Sequence, residues 1–187
     1  VGRLEPLKGL DNLFRAVASL ENSSSVRLNL VGGDENSQEK MRLEKLARHM
    51  KLTRSIRFVG SVTRNNLPIH YNAADVCVLP SYYESFGLAA LEASACGRPV
   101  VASNVGGLPA IVQNSVTGYL VEAHSAADMA ERLCDLLRDG ALRSRMGLAA
   151  RQHAESLSWE RTTDSLMALY RELVPAQASS EMSAAGG

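Results

Sequence analysis

Glu84 and Glu92 stand eight positions apart in the stretch that runs from Pro80 through Gly87 to Gly97. The first falls in a loop after an apolar run. The second lies about two turns, at ~3.6 residues per turn, into a helix built mostly of Ala and Leu. The helical neighbours of Glu92 are Leu88, Ala89, Ala95 and Cys96, none of them a cation. A solvated helix glutamate is often paired with a base three or four positions away, and a desolvated carboxylate without a partner is costly. Leu88 and Leu91 mark the expected core side, while Ala89, Ala90, Ala93 and Ala95 permit close approach of neighbouring elements. Two vicinal hydroxyls would give Glu92 two hydrogen bonds, which suits a ribose. The plainer alternative is an ordinary exposed glutamate.

Glu84 precedes the N-terminus of the same helix. The free amides of Phe86, Gly87 and Leu88 are expected to face the strand ends, where a helix terminus attracts phosphate. Gly87 lets a ligand come near the backbone. Arg3 and Lys8 follow the first apolar segment and offer a planar fork and a point charge for a diphosphate. Taken singly, Glu84 reads as a loop acid, Gly87 as a turn residue, and Arg3 and Lys8 as solvated surface groups. A phosphate beside a carboxylate that accepts from sugar hydroxyls describes a sugar-nucleotide site. There is no Gly-x-x-x-x-Gly-Lys-Ser/Thr and no Gly-x-Gly-x-x-Gly after the first strand, so the two familiar phosphate fingerprints are excluded. Gly32-Gly33 and Gly106-Gly107 read as turns, and no Asp-x-Asp metal motif is evident.

The elements that must position these groups alternate. Apolar runs at 26–31, 56–59, 75–79, 99–102 and 118–121 read as strands, and Val1-Gly2 as the tail of another. Helical stripes lie at 10–17, 43–50, 68–74, 86–97, 126–137, 142–153 and 159–173. Such alternation implies an α/β fold with a doubly wound parallel sheet, Rossmann-like, covered on both faces. Its ligands bind beyond the carboxyl ends of the strands, where every motif above falls.

The chain has 187 residues, with Lys plus Arg and Asp plus Glu equal at 20 each. That size suits one well-cored domain, and the balanced charge argues against a nucleic-acid partner or a polybasic membrane patch. Cys77, Cys96 and Cys134 form no CxxC and read as reduced thiols of a cytoplasmic protein. His49, His70, His124 and His153 show no metal-ligand spacing. No apolar run has spanning length. The chain opens at Val1-Gly2-Arg3 without a methionine and is expected to be a fragment. Residues 175–187 are expected to form a disordered tail.

Val1-Gly-Arg3-Leu-Glu-Pro-Leu-Lys8-Gly9, followed much later by Glu84-x7-Glu92, resembles the C-terminal, donor-binding half of retaining glycosyltransferases of the GT-B fold. The group is the one that contains sucrose-phosphate synthases, bacterial mannosyltransferases and mycothiol-pathway enzymes. The resemblance covers residues 1–174. It implies that Arg3 and Lys8 hold the diphosphate of a UDP-, GDP- or ADP-sugar and that Glu84 contacts the transferred sugar. It further implies that Glu92 binds the ribose and that amides at Phe86, Gly87 and Leu88 meet sugar and phosphate. The turn Val59-Gly60-Ser61-Val62 would receive the base. No metal or other cofactor is expected. The acceptor would be held by an absent N-terminal lobe, against which the last helix packs, and the resemblance leaves room for peripheral membrane contact of the complete protein. One departure is Ala110, where the family's turn leads into an acidic residue. Two alternatives stand beside this reading, a sugar-nucleotide epimerase and a nucleotide-binding or interaction module without turnover.

Overall fold

A computed structural model describes residues 1–173 apart from 22, 24 and 35. The tail expected to be disordered, 175–187, lies outside the described residues. Five strands form in order, β1 (Leu28–Val31), β2 (Ile56–Gly60), β3 (Cys77–Leu79), β4 (Val100–Ser103) and β5 (Gly118–Val121). Between and after them come α1 (Leu10–Ala18), α2 (Gln38–His49), α3 (Leu67–Ala73), α4 (Leu88–Ala95), α5 (Leu108–Ile111), α6 (Ala126–Arg138), α7 (Gly140–Ser156) and α8 (Trp159–Leu173). Apart from the strand tail expected at Val1-Gly2, the expected elements are present with shifted ends. The short α5 occupies a stretch expected to be a turn, with Pro109 in its first turn, where the missing N–H is not needed. Ser37 and Ser125 cap α2 and α6 by accepting from the amides of Lys40 and Asp128, each at 3.2 Å, as short oxygen side chains do at a helix start.

All strand pairs are parallel, which requires the helical crossovers that the alternation predicts. The doubly wound α/β class holds, but the strands form two sheets, β1-β2 and β3-β4-β5. Leu28 donates to Ser55 O in β1 and Cys77 to Pro99 O in β3. The intervening residues Asn29 and Val78 therefore turn their backbone groups the other way, into a cavity of roughly 880 Å³ that both edges line. Val1-Gly2 forms no strand among the described residues, although Gly2 N donates to Val31 O at 2.9 Å.

β4 shows why the helices lie on both faces. Val100, Val101 and Ala102 are all fully buried, and successive side chains of a strand point to opposite sides. Val101 joins Phe14, Leu43 and Met129 in one core cluster. Val100 and Ala102 join Tyr71, Ala90 and Leu108 in the other. Residues 1–154 make up one compact unit. The second unit begins at Glu155; within it α8 is amphipathic by sequence and has no buried residue.

Candidate functional site

Lys8 closes a 3-10 turn, Pro6–Lys8, that ends on Gly9 in the left-handed region at φ 62°. A Cβ on Gly9 would lie 2.0 Å from Pro80 O, so only glycine allows this contact. Tyr82 N donates to Leu7 O at 2.8 Å. These two contacts bind the Lys8 segment to the loop that follows β3. The Lys8 ammonium then meets Glu84 Oε2 at 2.7 Å, with side-chain exposures of 26% and 16%.

The glycine pair at 106–107 supports Glu84 from the other side. Gly107 N donates to Glu84 O at 3.1 Å, and a Cβ on Gly106 would fall 1.7 Å from that same oxygen. Doublet glycines are common turn residues, so this function was not readable from composition. Only the packing of the β4–α5 loop on the β3–α4 loop reveals it. Tyr82 was missed as well. Its hydroxyl donates to Asp11 Oδ1 at 3.1 Å, and its ring stacks on His124 at 3.9 Å between centroids. It thus links the loop bearing Glu84 both to α1 and to the segment after β5.

α4 begins at Leu88, with Gly87 as its cap at φ 97°, two residues later than expected. Gly87 is buried, and its missing Cβ would press on Leu108. Among the described residues none of the Phe86, Gly87 and Leu88 amides makes a main-chain hydrogen bond, whereas Ala90 and Leu91 both donate to Gly87 O. Leu88 is 62% exposed, which corrects its expected place on the core side. Ala90, Ala93 and Ser94 hold that side instead, because the small residues let α4 lie close to β3 and β4.

Glu92 does have a partner. The Tyr71 hydroxyl donates to its Oε2 at 2.8 Å. Tyr71 lies on α3, 21 residues away in sequence, where no helical spacing would point to it. Burial first, and then the Glu92 hydrogen bond and charge, hold the Tyr71 phenol above its usual range.

Arg3 does not join the Lys8–Glu84 pair. It bonds Glu5 at 3.0 Å with 80% of its side chain exposed. Arg3, Lys8, Glu84 and Leu88 nevertheless line the same cavity. The segment Val59, Gly60, Ser61 and Val62 spans the last two residues of β2 and the two that follow, and it packs on the Gly32-Gly33 turn. Gly32 N donates to Gly60 O at 2.7 Å, and Ser61 Oγ donates to Gly33 O at 2.9 Å. Gly32 in turn lies against Gly2, and Gly33 against Leu4. These residues share the carboxyl end of the strands, but the turn does not line the cavity. Among the described residues no group of three His, Cys, Asp or Glu side chains could hold a metal. No helix among them is long and apolar enough to cross a membrane.

The family model described as glycosyl transferases group 1 matches residues 1–153. The chain belongs to that family. The D-inositol 3-phosphate glycosyltransferase of Salinispora arenicola (strain CNS-205) is 43% identical over 183 residues, covering 94% of this chain and 41% of that protein. The chain therefore spans about two fifths of the length of such curated relatives. Among solved structures, sucrose-phosphate synthase from Thermosynechococcus elongatus superposes with a TM-score of 0.83 at 38% identity, over 92% of this chain and 44% of that one. Anabaena HepE in complex with UDP-glucose gives 0.79 at 25%, over 92% and 47%. The C-terminal domain of a glycosyl transferase group 1 protein from Francisella tularensis gives 0.75 at 29%, over 84% and 83%. This glycosyl transferases group 1 domain thus has the Rossmann-like α/β form of GT-B enzymes.

Proposed function

We propose that this domain is the donor-binding half of a retaining glycosyltransferase and that it takes a nucleoside-diphosphate sugar. The observation that carries the reading is the Lys8–Glu84 pair, held at 2.7 Å beside the open amides of α4 by the close approaches at Gly9 and Gly106. The HepE complex with UDP-glucose supports a uridine nucleotide as the first donor to try, with GDP- and ADP-sugars as the others. The likeness to the Francisella C-terminal domain supports placing the acceptor in an N-terminal lobe of the complete, cytoplasmic enzyme.

Breaking the anomeric bond leaves negative charge on the diphosphate and positive charge on the sugar. Lys8, Arg3 and the amides of Gly87 and Leu88 would stabilise the departing diphosphate, as preorganised donors do where charge develops. Arg3 would swing from Glu5 to do so. Glu84 would orient the sugar and offset its positive charge, and the 2.7 Å contact with Lys8 holds that carboxylate in place. Phe86 and Leu88 would border the sugar, Glu92 would accept from the ribose hydroxyls, and the Val59–Val62 turn would receive the base through its backbone. These groups supply the positive field themselves, so the reading gives no role to a metal. Same-face attack by the acceptor, with a phosphate oxygen taking its proton, gives retention.

Isothermal titration of the chain with UDP-glucose, GDP-mannose and ADP-glucose tests the reading. One of them should bind, and Lys8→Ala with Arg3→Ala should weaken it by at least about 100-fold, the loss of two charge-assisted contacts. Binding of no nucleoside diphosphate would leave an interaction module without turnover.

A further inference from the structure

Tyr71 has no part in the reading above. It sits on α3 at 2% exposure, in the cluster with Ala90, Ala93 and Leu108. For that packing alone a phenylalanine would serve, since a buried hydroxyl costs free energy unless it is bonded. The residue also lines the cavity that Lys8, Glu84 and Leu88 border, while its hydroxyl bonds Glu92 Oε2.

Glu92 depends on that bond for its orientation. Among the described residues no other side chain donates to it. Its helical neighbours Ala89 and Ala95 are too small to fix its last torsion, which is intrinsically broad. A single donor on Oε2 sets the plane of the carboxylate. It leaves Oε1 and a lone pair of Oε2 as acceptors, the arrangement a vicinal diol needs.

We propose that Tyr71 is the positioning residue that fixes the Glu92 carboxylate for a ribose diol, and so sets a preference for nucleotides that carry 2′- and 3′-hydroxyls over those that lack them. The inference rests on the ribose role of Glu92. A purely structural role, joining α3 to α4, makes a different prediction: loss of the hydroxyl would then weaken every nucleotide alike.

UDP and 2′,3′-dideoxy-UDP are titrated against the wild-type chain and Tyr71→Phe, with a thermal melt of each protein. Tyr71→Leu repeats the comparison should the Phe variant not fold. The wild type should bind UDP roughly tenfold or more tightly than the dideoxy nucleotide, because a site built to bond hydroxyls rejects an analogue without them. Tyr71→Phe should lose most of that margin while its affinity for the dideoxy nucleotide stays within about twofold. A variant that keeps the margin, or that loses affinity for both nucleotides in equal proportion, overturns the inference alone. A wild type that shows no margin, or binds neither nucleotide, overturns the ribose role of Glu92 and the inference with it.

Discussion

The Lys8 ammonium and the Glu84 carboxylate meet at 2.7 Å across 76 positions of sequence. The contact joins the turn before α1 to the loop before α4, the two segments that carry the candidate diphosphate and sugar ligands. Both side chains are mostly covered, at 26% and 16% exposure, so removing either leaves the other poorly compensated. Lys8→Met and Glu84→Gln should each cost about 1–2 kcal/mol, discounted for the solvent that still reaches the pair. The double variant should cost clearly less than the sum. Urea denaturation of the four proteins measures the coupling, and simple additivity would show that the pair contributes nothing beyond its parts.

Gly106 and Gly97 separate backbone strain from site geometry. Both have positive φ, 52° and 69°, where a side chain costs on the order of 1 kcal/mol. A Cβ on Gly97 meets nothing nearer than 3.8 Å, while one on Gly106 falls 1.7 Å from Glu84 O. Gly97→Ala should lower stability by about that strain and leave UDP-glucose affinity unchanged. Gly106→Ala should displace Glu84 and weaken UDP-glucose at least tenfold, roughly the loss of one charge-assisted contact. Equal affinities in the two variants would refute the bracing role of the Gly106-Gly107 turn.

What could be read in advance followed the range of the interactions. The alternation of strand and helix is local, and it singled out Glu84 because it stands between the end of β3 and the start of α4, and Lys8 because it stands just before α1. The partner of Glu92 was not, since Tyr71 sits on another helix and meets it only once α3 and α4 pack. Leu88 was placed on the wrong side for a related reason. In a helix of Ala and Leu the apolar residues surround the axis, so no single stripe marks the core, and the close approach of Ala90 and Ala93 decides the face. Arg3 was assigned by position in the strand–helix order, which fixes where a backbone goes but not which carboxylate a long side chain finds. The division of the strands into two sheets was invisible for the same reason: pairing partners are a property of the assembled fold.

The two facing strand edges have a kinetic signature. Leu28 and Cys77 donate to Ser55 O and Pro99 O, the residues just before β2 and β4, and alternation gives Leu30 and Leu79 the same direction, toward those strands. Asn29 and Val78 face the cavity instead, where no main-chain acceptor meets them among the described residues. Amide hydrogen exchange followed by NMR should therefore alternate along β1 and β3. Asn29 and Val78 should exchange at least about tenfold faster than Leu30 and Leu79, because exchange reads the opening of individual hydrogen bonds. Uniform protection along either strand would mean that its edge is paired.

Alkaline pH should act on the same region through Cys77. Burial, the leading cause, pushes its thiol from the usual 9.0 up to about 11, so the folded chain resists losing a proton that the unfolded chain gives up readily. A group whose value is raised on folding contributes stability in full below its unfolded value, and that contribution fades as pH rises through the folded one. Tyr71 is raised too, again mainly by burial, and adds in the same direction. The melting temperature should accordingly be flat with respect to this thiol below pH 9 and fall between pH 9 and about 11. The loss due to Cys77 is capped at roughly 2–3 kcal/mol, at ~1.4 kcal/mol per tenfold in proton affinity. Cys77→Ala should start from a lower melting temperature because a half-buried sulfur that packs beside β4 is gone, yet fall less steeply over that interval. Parallel curves for the two proteins would show that the Cys77 thiol ionises as freely in the folded chain as in the unfolded one.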